Sequence, residues 1–160
     1  MSVIVVTGST AGLGYHCVEH LARRIANKSS SKATAPEDPP YNGIVMACRN
    51  VKSAQIAAQN IAKTSGCLPS KIIVLEDNCN LCELENVRKY AASLIIYLKE
   101  NNLRIKILIN NAGIGGSPNI SRNSVGHEAI FATNHLGHFL LTILLLPYID
   151  ERIVNVSSEV

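Results

Sequence analysis

Apolar and polar positions change period along this chain. Short runs of β-branched residues, read as strands, alternate with stretches in which apolar residues recur every three or four positions, read as helices. The first run, "SVIVVT" at 2–7, is followed by Val18, Leu21, Ala22 and Ile25 on one helix face. "GIVMA" at 43–47 precedes a face of Ala54, Ala57, Ala58 and Ile61, and "KIIVLE" at 71–76 precedes one of Leu84, Val87, Ala91, Leu94, Ile95 and Leu98. "RIKILIN" at 104–110 leads to a long helix expected from about Ser124 to Leu146 and stopped by Pro147, after which "RIVNVS" at 152–157 gives a fifth strand. Five strands alternating with helices imply right-handed crossovers and an α/β fold, a doubly wound, Rossmann-like parallel sheet. Its ligands belong at the carboxyl ends of the strands.

One interruption, Asn27 to Asn42, is rich in Ser, Pro and charge and is expected to be an inserted surface loop at the end of the sheet opposite the ligand. The chain of 160 residues, 1–160, suits a single domain. Its 47% hydrophobic content argues against a disordered chain; a net charge of +3 and only 4% aromatic residues offer nucleic acid neither a basic stripe nor a stacking platform. No basic segment precedes the first apolar run, and the longest run, Phe139 to Ile149, is broken by Thr142 and Pro147 and falls short of a bilayer span. A cytoplasmic location is therefore expected. Five unevenly spaced cysteines fit a reducing compartment. "CNLC" at 79–82 lacks a second ligand pair, and the pairs His16/His20 and His135/His138 lack an accompanying carboxylate, so no metal site is expected.

The loop after the first strand, "TGSTAGLG" at 7–14, concentrates three glycines before a helix whose first acidic residue is Glu19. Glycines allow a tight turn and a close approach of backbone N–H groups, and an acid-free helix start leaves its positive dipole end available to a pyrophosphate. A triphosphate-binding loop would require Lys and Ser or Thr after the last glycine, where Tyr15 and His16 stand. A dinucleotide is preferred. After the second strand comes Ala47-Cys48-Arg49-Asn50, with Arg49 where an acidic residue would bind the ribose hydroxyls of NAD. Arg49 favours the 2′-phosphate of NADP over NAD, the alternative being a solvated surface arginine.

These residues resemble the short-chain dehydrogenase/reductase family. "TGSTAGLG" is similar to its TGxxxGxG motif and "NNAG" at 110–113 to its second hallmark. "FATNHLGHFLLT" at 131–142 resembles the central helix that carries its asparagine, and "RIVNVSS" the strand that carries its serine. "VMACRN" and "TNHLGHFLLTILLLP" look most like the branch holding retinol dehydrogenases, the WW-domain oxidoreductase and light-dependent protochlorophyllide reductase. The resemblance implies that Gly8, Ser9, Gly12, Leu13 and Gly14 surround the pyrophosphate and that Arg49 meets the adenosine phosphate. It also implies Asp77 and Asn78 at the adenine and Asn111, Ala112 and Gly113 beside the nicotinamide ribose. Asn134 and Ser158, with Ser157 as runner-up, take catalytic positions. A helix cap at Asp77 and a simple turn at 111–113 are the readings these residues carry on their own.

The implied activity is NADP-dependent hydride transfer to or from a carbonyl or alcohol, retinoid-like or lipid-like, with a homodimer through the helix around Asn134. The family's YxxxK motif does not follow Ser158 before the sequence ends at Val160, and none of the five tyrosines has Lys four residues later. The chain is thus expected to be the cofactor-binding half of such an enzyme, its sheet stopping after the fifth strand with that strand as an unpaired edge. A non-catalytic dinucleotide-binding protein or an inactive short form is the alternative. A methyltransferase on a related sheet would have no use for "NNAG" or "TNHLGHF".

Overall fold

Alternation of side chains along an extended strand sends Val3 and Val5 to one side of β1 (Ser2–Thr7) and Ile4 and Val6 to the other, and all four are buried. A strand buried on both faces must lie inside a sheet covered on both sides, which is the arrangement seen in the computed structural model. The structure describes residues 1–30, 41–116 and 120–157. β1 is flanked by β2 (Gly43–Ala47) and β4 (Arg104–Asn110), with β3 (Ile72–Ile73) beyond β2 and β5 (Ile149–Asn155) beyond β4. All neighbours are parallel, in the order β3-β2-β1-β4-β5. The register slips at Lys106, between Ile105 and Ile107, against both β1 and β5.

On one face α1 (Gly12–Ser30) and α2 (Val51–Ser65) place Val18, Ala22, Ala54 and Ile61 against Ile4, Val6, Ile44 and Met46. The small residues Ala54, Ala57 and Ala58 allow α2 to lie close, Asn50 caps its start by accepting from Ser53 N at 3.0 Å, and Gly66 ends it in the left-handed region. On the other face α3 (Leu84–Glu100) buries Val87, Tyr90, Ala91, Leu94 and Leu98. Beside it runs a rod made of α4 (Ala129–Phe131), a π-helical stretch Ala132–Leu136 and α5 (Gly137–Leu145), of which Leu141 and Leu145 are fully buried.

Several boundaries differ from those the sequence pattern predicts. β3 holds only two residues, and the chain from 74 to 83 is irregular. The long helix begins at Ala129, five residues later than Ser124: Asn123 Oδ1 accepts from Val125 N (3.2 Å) and His127 N (2.8 Å), holding a turn there, and Glu128 caps the helix through Ile130 N and Phe131 N. α1 continues to Ser30, past the expected start of the inserted loop at Asn27, while most of that loop, 31–40, lies outside the described residues. Its far end is fastened: Tyr41 is buried and Asn42 N donates to Ser2 O at 2.8 Å. β5 runs from Ile149 to Asn155, starting three residues and ending two residues before the expected segment at 152–157.

Gly137 sits where the rod crosses the loop before α3, and a Cβ there would lie 2.8 Å from Leu81 Cβ and closer still to the Leu81 carbonyl oxygen. Backbone cannot move aside as a flexible side-chain tip can. Gly137→Ala is expected to lower the unfolding free energy by about 1–3 kcal/mol, read as a lower urea midpoint at unchanged slope; an unchanged midpoint would contradict this packing.

Candidate functional site

The ends of β1, β2 and β4, and the loop after β3, enclose a cavity of about 730 Å³. The side chain that joins two of them is Thr7, fully buried at the last position of β1. Its Oγ1 accepts from the backbone N–H groups of Asn111 and Ala112, each at 2.9 Å. Asn111 returns the contact, its Nδ2 donating to Thr7 O (2.9 Å) and Gly8 O (3.2 Å). The turn after β1 and the turn after β4 are therefore one hydrogen-bonded unit. Gly8 has a φ of +64° and no room for a side chain, since a Cβ would stand 2.6 Å from Ala112 Cα; a Cβ on Gly14 would stand 2.5 Å from Gly8 O. These two glycines serve contact between protein segments. Gly12, by contrast, faces open space, and Leu13 is exposed beside it at the rim. The first turn of α1 carries no acid, so its orphan N–H groups meet the cavity unopposed.

Ser9 is the expected pyrophosphate contact that the structure turns away. It is fully buried, with Oγ 3.3 Å from both Val6 O and Cys48 Sγ, and does not border the cavity; Thr10 and Ala11 do. After β2, Arg49 is exposed on the cavity wall and has no ion pair among the described residues. Asn50 and Ser53 stand beside it at the start of α2. Cys48 and Cys79 line the same region, Cys79 N donating to Cys48 O at 2.9 Å. Burial pushes both thiols above the usual range, so they form a neutral wall.

Asp77 and Asn78, expected at this wall, are not there. Asp77 accepts from Ser93 Oγ and Asn78 Oδ1 accepts from Asn86 Nδ2 at 3.1 Å, both partners being on α3. Because β3 stops at Ile73, the chain passes along α3 before it reaches the cavity, which it does at Cys79, Asn80 and Leu81. Nor does Asp77 cap α3, whose preceding residue is Glu83. The signal that would have placed the wall is Leu81, an apolar residue alone between polar neighbours and buried in the structure.

Asn111, Ala112 and Gly113 border the cavity as expected. Asn134, on the π-helical stretch, does not itself border the cavity but holds a residue that does: Oδ1 accepts from Ile114 N (2.9 Å) and Nδ2 donates to Ile114 O (3.0 Å), so the amide clamps the chain that follows Gly113. Such widened turns recur at functional sites. Thr133, one residue before, lines the cavity and carries no sequence signal beyond its helix. Ser157 is exposed just after β5, where Val156 N donates to Asn110 O at 3.0 Å; Ser158 lies outside the described residues.

A profile described as short chain dehydrogenase matches residues 42–160. Among curated proteins the chain is similar to human retinol dehydrogenase 11, 34% identical over 98% of this chain and 42% of that protein. Human retinol dehydrogenase 13 is 34% identical over 97% and 40%, and mouse (Mus musculus) retinol dehydrogenase 12 is 34% identical over 98% and 43%. The chain thus spans less than half the length of these relatives. Among solved structures, an uncharacterised protein from Mycobacterium paratuberculosis superposes with a TM-score of 0.73 at 32% identity, over 99% of this chain and 46% of that one. A metagenomic short-chain oxidoreductase in complex with NADP superposes at 0.68, with 21% identity over 99% and 63%, a likeness of fold.

The expected cytoplasmic location is overturned by these relatives, dehydrogenases named for retinol, a lipophilic alcohol that partitions into membranes. One helix, Ala129–Tyr148, is also long and apolar enough to cross a bilayer by length and composition, against the expectation from Phe139–Ile149 that none would be; its Leu141 and Leu145 are packed in the core. The contact of Gly8 with Ala112 yields a direct check on the site. Gly8→Ala is expected to cost about 2 kcal/mol or more in unfolding free energy, from the left-handed backbone and the clash together. A thermal midpoint equal to that of the unsubstituted chain would refute the close approach.

Proposed function

This chain belongs to the short chain dehydrogenase family, and we propose that it holds NADP for hydride transfer to or from the carbinol or carbonyl carbon of an apolar, retinoid-like or lipid-like substrate. The observation that carries this reading is one cavity with an acid-free helix start on one side and, on another, an exposed arginine that has no ion pair among the described residues. A pyrophosphate would rest on the N–H groups at Gly12, Leu13 and Gly14, where open space meets the α1 dipole. Arg49 would fork onto the 2′-phosphate, with the Ser53 side chain on the same wall. Asn111 to Gly113 would flank the nicotinamide ribose. When bound, the nicotinamide supplies or accepts the hydride. Ser158 or Ser157 would donate a hydrogen bond to the substrate oxygen, and Asn134 would hold the Ile114 segment that closes the same end of the site. The relatives' names support an apolar alcohol or aldehyde as substrate. Exposed Phe131, Phe139 and Ile143 along one side of the rod support a homodimer through that helix.

A second reading is that the chain binds the dinucleotide without turning it over. Titration with NADPH and NADH, followed by a turnover assay with retinol and NADP, separates the two. NADPH is expected to bind more tightly than NADH, and Arg49→Ala to weaken NADPH by about tenfold to a hundredfold while leaving NADH unchanged. Equal affinity for both nucleotides would defeat the assignment of Arg49; binding without turnover would favour the second reading.

A further inference from the structure

His138 lies one helical turn after Asn134, on α5, and is 7% exposed. Sequence spacing gives it a packing role at most. In the structure both of its ring nitrogens are engaged: Nδ1 is 3.2 Å from the Asn134 carbonyl oxygen, and Nε2 is 2.9 Å from Thr7 Oγ1. The protonation of the ring follows from its partners. A carbonyl oxygen can only accept, so Nδ1 must carry a hydrogen. A threonine hydroxyl has two lone pairs and one proton. Both lone pairs of Thr7 Oγ1 are taken by the N–H groups of Asn111 and Ala112, so what remains is the O–H, whose nearest acceptor is His138 Nε2. The other candidate, Ile109 O, is 3.4 Å away. Two independent partners therefore require the same state, a neutral imidazole with its hydrogen on Nδ1, the tautomer that free histidine disfavours in water.

We infer that His138 is a positioning residue: as the neutral Nδ1–H tautomer it accepts the Thr7 hydroxyl proton, which fixes Thr7 Oγ1 as the double acceptor that shapes the Asn111–Gly113 turn of the cofactor cavity. It also ties that turn to the helix carrying Asn134, since the same ring donates to the Asn134 carbonyl. A protonated ring would aim a second N–H at an oxygen with no free lone pair and would push Thr7 away. Among the described residues no charged side chain forms an ion pair with the ring; the π-helical stretch contributes a carbonyl and β1 a hydroxyl. Burial lowers the affinity of His138 for a proton, in the same direction as the hydrogen-bond argument.

The inference rests on the cofactor reading above, and its test is built so that the two can fail separately. Nitrogen NMR of the imidazole rings in the unsubstituted chain, with no nucleotide added, is expected to show one histidine with Nδ1 protonated and Nε2 bare, still neutral at about pH 6.5, where an ordinary histidine is half charged. His138→Phe removes that signal and identifies it. An Nε2–H tautomer or a charged ring would overturn the proposal whatever the chain binds. In NADPH titration, His138→Phe is expected to weaken affinity by about tenfold, and His138→Gln, which can still accept from Thr7, to recover most of it. Equal losses in both variants, or none in either, would overturn it. Where the Phe variant does not fold, His138→Gln, which keeps the acceptor for Thr7, removes the same resonance and identifies the ring, and the tautomer decides. If the unsubstituted chain binds no NADPH, the functional reading fails, and the NMR result stands alone for or against the tautomer.

Discussion

The hydroxyl of Thr7 is the point on which the site depends. It is a single buried oxygen, yet it accepts two backbone N–H groups from the turn after β4 and stands at the end of the strand that leads into the glycine turn. A buried N–H without an acceptor costs about 1–3 kcal/mol, so two such groups meeting one oxygen leave the chain after β4 little freedom over where it goes. The side chain of Asn111 and the missing side chain of Gly8 serve the same approach from opposite directions. The cavity exists because two loops more than a hundred residues apart are held as one wall.

Sheet order explains why that wall is where it is. The chain winds outward from β1 to β2 and β3, then returns to β4 on the other side of β1. Connections leave the two halves in opposite directions at the β1–β4 boundary, so a crevice opens there at the carboxyl ends of the strands. Thr7 bridges the floor of that crevice, α1 supplies its positive end, and the loops after β2 and β3 extend it sideways.

The fold was largely legible because burial on both faces leaves a periodic trace: β1, β2, β4 and the apolar faces of α1, α2 and α3 follow from it. Less was legible wherever a single side chain overrides the pattern. Asn123 holds a turn in what reads as helix, and β3 ends after two residues, which moved the cavity wall from Asp77 and Asn78 to Asn80 and Leu81. Gly8, Gly12, Gly14 and Arg49, all on the cavity wall, were legible from local chemistry, a glycine turn before an acid-free helix start and a cation after β2, whereas Leu13 and Asn111 to Gly113, on the same wall, were expected there from the family resemblance. Ser9 and His138 were not, since their orientation is set by partners distant in sequence, Cys48 for one and Thr7 for the other. Tyr90, buried in α3, escaped notice because an aromatic ring with a hydroxyl reads as amphipathic until its surroundings are seen.

The π-helical stretch Ala132–Leu136 separates two regions of one rod that answer to different neighbours. Downstream, Leu141 and Leu145 are keyed to the sheet; upstream, Asn134 is keyed to Ile114. An ordinary helix advances about 100° per residue, so losing one residue from this stretch would not simply shorten the rod. It would swing the upstream part around its axis by more than a quarter turn, parting Asn134 from its clamp. Length here is a phase setting, and a lineage could alter almost any side chain in the stretch more safely than it could alter the number of residues.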